Sequence, residues 1–303
     1  MGSGSFDTSS YRTYSDSIKS VPVDKIYTSH GLHPDLNPRG VTFRESRDSS
    51  DSPTATPLIV ALDVTGSMGI IAEKIAKEGL GVLFEGILDR RPIPNPHIMF
   101  MGVGDANWDS APLQVSQFEA DNRIVKQLTD IYLEGGGGGN SFESYNLPWY
   151  FAANHTVHDS YERRAKRGYL FTIGDEEVPQ DLTKDQIKTI LGTSPERVPS
   201  TSEILEEAQR TYDVFHVVIK EGSHAKRHLP RVMSSWTDLM GQHVIPLSDY
   251  KLLAQTIVSA IEVAEGVKAT DSASRWGRGA SVIEDAVKAI PTSRGPRLLT
   301  SGR

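Results

Sequence analysis

Three short segments of this 303-residue chain carry oxygen donors at spacings suited to a hard metal ion. In Asp63-Val64-Thr65-Gly66-Ser67 the alternate positions offer one carboxylate and two hydroxyls, and Gly66 permits a tight turn. A second carboxylate, Asp175, follows Gly174 and precedes Glu176-Glu177. Between them a run of glycines, Gly135 to Gly139, ends in the polar pair Asn140-Ser141. Two carboxylates, hydroxyls and a side-chain carbonyl make a donor set for Mg²⁺ or Mn²⁺. Such ions take octahedral oxygen coordination, keep several waters and use only one or two carboxylates.

These segments need elements that bring them to one place. Pro57 to Leu62 is a continuous apolar run, as expected of a strand buried on both faces of a parallel sheet. His97 to Val103, Tyr169 to Ile173 and Val214 to Ile219 read the same way, and Leu113 with Val115 marks a shorter strand. Apolar residues at helical spacing follow in Ile70 to Leu88 and in Leu252 to Ala264, and a helix is expected from about Phe142 to His155. Strands alternating with helices predict an α/β fold: a doubly wound, mostly parallel sheet of about six strands flanked by helices, over residues 57–266. Residues 1–56 are expected as an extended N-terminal arm, with Glu45 to Pro53 a linker by composition, and 267–303 as a C-terminal tail with one short helix, Val282 to Ile290. Asp63 and Asp175 then both stand at carboxyl ends of strands, where such sheets carry their functional loops.

The pattern resembles the von Willebrand factor A family, whose metal-ion-dependent adhesion site has Asp-x-Ser/Thr-x-Ser after the first strand, a Thr or Asp in a later loop and an Asp after the fourth strand. Asp63, Thr65 and Ser67 match the first element and Asp175 the third. The second element departs from the family, since Gly139-Asn140-Ser141 stands in place of Gly-Gly-Thr, leaving the Asn140 carbonyl or the Ser141 hydroxyl as ligand. The resemblance implies a Mg²⁺-type site with one open position filled by an acidic side chain of a partner. For intracellular bacterial members it implies an adaptor or assembly role beside an AAA+ ATPase of the MoxR type.

Other features bound the reading. The absence of cysteine removes disulfides, thiolate zinc sites and cysteine nucleophiles and fits a reducing compartment. A polar N-terminus and the lack of a long apolar run argue for a soluble, cytoplasmic protein. A net charge of −7 argues against nucleic acid, so the basic runs Glu162 to Arg167 and His224 to His228 are expected as solvated faces. The glycine run lacks the strand-loop-helix setting of a dinucleotide fingerprint and the Lys of a P-loop, and no Gly-x-Ser-x-Gly nucleophile elbow occurs. His155 and His158 read as surface or helix-end residues, Asp105 and Asp109 as turn formers, and Glu143, Glu176 and Glu177 as solvated charge on the rim of the site.

The expected function is therefore a metal-dependent protein-interaction module, not an enzyme, that binds an Asp or Glu of a partner. Two alternatives stand beside it. One is a metal-dependent hydrolase with Glu143, Asp105 or Glu176 as base; the other is a scaffold whose metal site is a relic.

Overall fold

A computed structural model describes residues 29–75, 80–121, 123–134 and 142–292. In chain order the regular elements are β1 (Arg44–Ser46), β2 (Thr56–Asp63), α1 (Ile70–Lys74), α2 (Leu80–Arg90), β3 (Pro96–Val103), β4 (Leu113–Val115), α3 (Arg123–Thr129), α4 (Asn146–His155), β5 (Thr156–His158) and α5 (Asp159–Arg164). They continue with β6 (Gly168–Gly174), α6 (Lys184–Leu191), α7 (Thr201–Ala208), β7 (Tyr212–Ile219), α8 (Ser223–Met240), β8 (Val244–Leu247), α9 (Leu253–Ala264), α10 (Ala269–Ser274) and α11 (Ala280–Val287). The principal sheet has six strands in the order β4-β3-β2-β6-β7-β8, all parallel except the edge strand β4.

Every residue of β2 and of β6 is buried, so their apolar runs are a consequence of being covered on both faces. The pleat sends alternate side chains to opposite layers. Leu58, Val60, Leu62, Phe171, Ile173, Val217 and Ile245 pack with α1, α2, α9 and α11. Ile59, Ala61, Leu170, Val214 and Val218 pack with α4, α6, α7 and α8. The result is a three-layer helix-sheet-helix domain with a core on each side of the sheet.

Counting outward, β2 is bordered on one side by β3 and β4 and on the other by β6, β7 and β8, so the chain reverses its direction of strand addition between β2 and β6. In parallel sheets this switch opens a crevice at the carboxyl ends of the two strands. Asp63 closes β2 and Asp175 follows β6 at that crevice.

The linker expected at Glu45 to Pro53 is replaced by a docked segment. β1 pairs in parallel with β5, and Leu36 ahead of it is buried in the core. Arg47 binds Asp159 at 2.9 Å and also Glu162, while Asp48 pairs with Arg164 and accepts a bond from the Ala55 N–H at 3.0 Å. The basic run Glu162 to Arg167 is consequently a set of internal ties, completed by Lys166–Glu265 and Arg167–Asp213. At the other end α10 is a helix beyond the one expected. It is held by Glu262 of α9, which is buried, takes two bonds from Arg90 at 3.0 and 2.7 Å, and is reached by the Ser272 hydroxyl and by Arg275. Among the described residues no helix is long and apolar enough to cross a membrane.

His97 and His158 sit beside this docked segment, and burial depresses both imidazoles to about 4. His97 Nδ1 meets the Ser46 hydroxyl at 3.1 Å, and His158 caps α5 by accepting the Tyr161 N–H at 3.2 Å. A histidine of lowered folded-state pKa binds fewer protons than the unfolded chain does between about pH 4 and 6.5, so its contribution to stability is lost as pH falls through that window. His97→Gln should therefore reduce the proton uptake on unfolding between pH 4 and 6.5 by up to about one proton, read from urea midpoints against pH. An unaltered pH slope would contradict this account of His97.

Candidate metal centre

Asp63 is fully buried, and its orientation is set by three donors. Oδ1 accepts the Thr65 backbone N–H at 2.9 Å and the Thr65 hydroxyl at 2.7 Å, which is a turn closed by the aspartate itself. Oδ2 accepts the Tyr145 hydroxyl at 2.7 Å. Tyr145 reaches this position because residue 174 has no side chain: a Cβ there would stand 1.9 Å from the phenolic oxygen. Its ring is held edge-on by His216 and Trp236, whose own rings stack 3.5 Å apart.

Asp175 is likewise fully buried. Oδ1 accepts the Ser67 hydroxyl at 2.7 Å, and Oδ2 accepts the His224 N–H at 2.8 Å, at the first turn of α8. The partial positive charge of that helix terminus favours the carboxylate. A Cβ at Gly222 would lie 2.3 Å from the Asp175 side chain, so this approach needs glycine. Ser223 locks the two loops together, donating from its N–H at 3.1 Å and from its hydroxyl at 3.0 Å to the Ser67 carbonyl.

The structure thus brings Asp63, Thr65, Ser67 and Asp175 to one point, with 3.4 Å between the two hydroxyl oxygens. Gly66 is exposed and Ser67 half-buried, so the group opens to solvent on the Ser67 side. Asn140 and Ser141, the remaining expected ligands, lie outside the described residues.

Glu143, Glu176 and Glu177, expected as solvated rim charge, are all buried. Glu177 has a cationic partner in Arg231 at 2.8 Å and meets the His224 ring at 3.4 Å. Glu143 and Glu176 have no ion pair among the described residues. Burial, and then the charges of Asp63 and Glu176, push the Glu143 carboxyl up to about 11. Burial followed by Asp63 and Asp175 takes Glu176 to about 8, and burial followed by Asp175 takes Asp63 to about 7. All three displacements have one physical origin: acidic groups are packed together away from water with too little positive charge among them.

A divalent cation fits this environment. The hydroxyls that now donate to carboxylates have lone pairs for a metal, and two carboxylates balance its charge. Among the described residues no three His, Asp or Glu side chains surround a single point, so such an ion would be completed by hydroxyls and water, as Mg²⁺ prefers.

Sequence reasoning did not find Tyr145, Ser223 or the α8 terminus. Tyr145 lies 82 residues from its partner Asp63, with no local pattern to mark it. Gly222-Ser223, three residues beyond the apolar run of β7, was the readable signal, because it is another loop at a carboxyl strand end. Asp105 and Asp109 do form turns as expected: Asp105 accepts the Asn107 N–H at 2.8 Å, and Asp109 accepts that of Asp105 at 2.7 Å. His155 and His158 are at a helix end but buried, not on the surface, and His155 Nδ1 faces the Val41 carbonyl at 2.9 Å.

Gly222→Ala should force Asp175 or the start of α8 to move, lowering stability by about 1–3 kcal/mol, the usual cost of overpacking. Thermal unfolding of the variant checks this, and an unshifted transition would contradict the packing described.

No protein family model matches the sequence, and no curated protein does. Among solved structures the chain is similar to proximal thread matrix protein 1 of the mussel byssus, at 10% identity and a TM-score of 0.43 over 69% of this chain and 47% of that one. It is similar to the pilus adhesin SpaC of Lactobacillus rhamnosus GG in its open conformation, at 8% identity and 0.44 over 71% and 31%. A von Willebrand factor type A structure from Catenulispora acidiphila matches at 12% identity and 0.35 over 69% and 42%. The chain spans less than half the length of each of these structures. The likenesses are distant, and the α/β fold described above rests on the strand order of the chain itself.

Proposed function

We propose that this chain is a von Willebrand factor A-like, metal-dependent protein-interaction module, and that Asp63, Thr65, Ser67 and Asp175 hold a Mg²⁺ or Mn²⁺ ion. The observation that carries this reading is the Asp63–Asp175 pair: two fully buried carboxylates, joined through Thr65 and Ser67, at the switch point of the sheet. A bound divalent ion would supply a Lewis-acidic position on the open Ser67 side, where an outside oxygen ligand can reach it.

The surface around that opening favours an acidic partner. Lys226, Arg227 and His228 are exposed in the first turns of α8, the helix whose Ser223 bonds the Ser67 carbonyl, and Lys226 and Arg227 make no ion pair among the described residues. An Asp or Glu approaching the ion meets positive charge at the rim, which speeds encounter and sets orientation. The acids open to use as a general base, Glu143, Asp105 and Glu176, are all buried; a hydrolase built on one of them would show metal-dependent turnover of a phosphoester. An AAA+ ATPase of the MoxR type remains the partner class to try first.

Capture of partners from the native host should succeed with the wild-type chain in Mg²⁺ and fail both in EDTA and with Asp175→Ala in Mg²⁺, each protein being checked for folding by circular dichroism. Identical partners under all three conditions would contradict the proposal and favour a scaffold with a relic site. Tyr145→Phe, which removes one bond to Asp63 and little volume, should weaken Mn²⁺ binding about 10–100-fold, as loss of a ligand-orienting group commonly does. Unchanged affinity by calorimetry would show that Tyr145 does not orient a ligand.

A further inference from the structure

Glu143 and Glu176 are not explained by the Asp63–Asp175 site. Each is buried, 3% and 5% exposed, and on each the Oε2 oxygen has no hydrogen-bond partner among the described residues. A buried carboxylate oxygen without a partner loses its hydration and gains nothing in return. The backbone around each is held in place. Phe142 and Glu177 form an isolated parallel bridge, which brings the Glu143 and Glu176 segments side by side. The Glu143 segment is pinned by the Ser144 N–H on the Gly104 carbonyl at 3.1 Å, by the Ala106 N–H on the Ser144 hydroxyl at 2.9 Å, and by Tyr145 on Asp63. The Glu176 backbone is fixed by the Trp236 indole N–H on its carbonyl at 2.8 Å.

The basic groups nearest in sequence and space serve other acids. Arg231 and His224 are directed at Glu177, and the N-terminus of α8 is directed at Asp175. Two buried carboxyls, each with an unpartnered oxygen and no ion pair among the described residues, therefore adjoin a pair of carboxylates that is itself buried. One divalent ion at Asp63 and Asp175 balances only those two charges.

We propose that Glu143 and Glu176 hold a second divalent cation beside the first, so that four carboxylates are balanced by two ions. The inference extends the metal-centre reading above and rests on it. Its ligand class is a hard cation, Mg²⁺, Mn²⁺ or Ca²⁺, bound by one oxygen from each glutamate and completed by water. With both ions in place these four carboxylates are balanced, and the open position at Ser67 stays receptive to an acidic partner.

Equilibrium dialysis of the full chain against Mn²⁺, with the bound metal counted per chain, tests this directly. Two Mn²⁺ for the wild type, one for Glu143→Gln/Glu176→Gln and a surviving ion in Asp175→Ala are the expected results. One Mn²⁺ in the wild type, unchanged in the double variant, would overturn the second site and leave the first standing. Two in both would place the second ion elsewhere and also overturn it. No Mn²⁺ in the wild type would overturn the metal centre as a whole. The wild-type count decides between one site and two even if the double variant does not fold.

Discussion

The structure turns on the parallel pairing of β2 with β6, because that pairing makes two loops far apart in sequence into neighbours. Leu58 to Leu62 lie in register with Tyr169 to Ile173, so Asp63 and Asp175 emerge together where both strands end. Neither carboxylate reaches water, and each would repel the other across the crevice. The fold meets this with dipoles: the Thr65 and Tyr145 hydroxyls for Asp63, the Ser67 hydroxyl and the first turn of α8 for Asp175. Dipoles reduce the cost of a buried charge without cancelling the charge, and the proposed cation would supply the balance.

The supporting layers follow from that need. Trp236 and His216 form a stacked platform that fixes Tyr145, and Gly174 makes the room for its hydroxyl. Gly222 lets α8 close on Asp175, and Ser223 ties that helix start to the Ser67 loop. The apolar cores on both faces hold β2, β6 and β7 in register, so that these contacts are kept to hydrogen-bonding distances.

Much of this was legible in the sequence, for definite reasons. The strands β2, β3, β6 and β7 announce themselves because burial on both faces demands uninterrupted apolar residues. The edge strand β8 was missed, since it has only four residues and one of them is Pro246. Helix α8 was missed too: Pro230 and the non-helical His228 interrupt its periodicity. Composition made Glu45 to Pro53 look like a linker, because the partners of Arg47 and Asp48 stand more than a hundred residues away, in α5. For the same reason the burial of Glu143 and Glu176 could not be read from their neighbours. Charge patterning locates acids, but only the bridge between Phe142 and Glu177 shows that their two segments meet.

The central claim is that Asp63 and Asp175 are the seat of a divalent cation. Crystals of the chain grown with Mn²⁺, measured for anomalous scattering, test it most directly. The account predicts an anomalous peak within coordination reach of the Ser67 and Thr65 hydroxyls and next to both carboxylates, either direct or through one water. A map with Mn²⁺ in the drop and no peak at that position, the two hydroxyls still donating to Asp63 and Asp175, would contradict it.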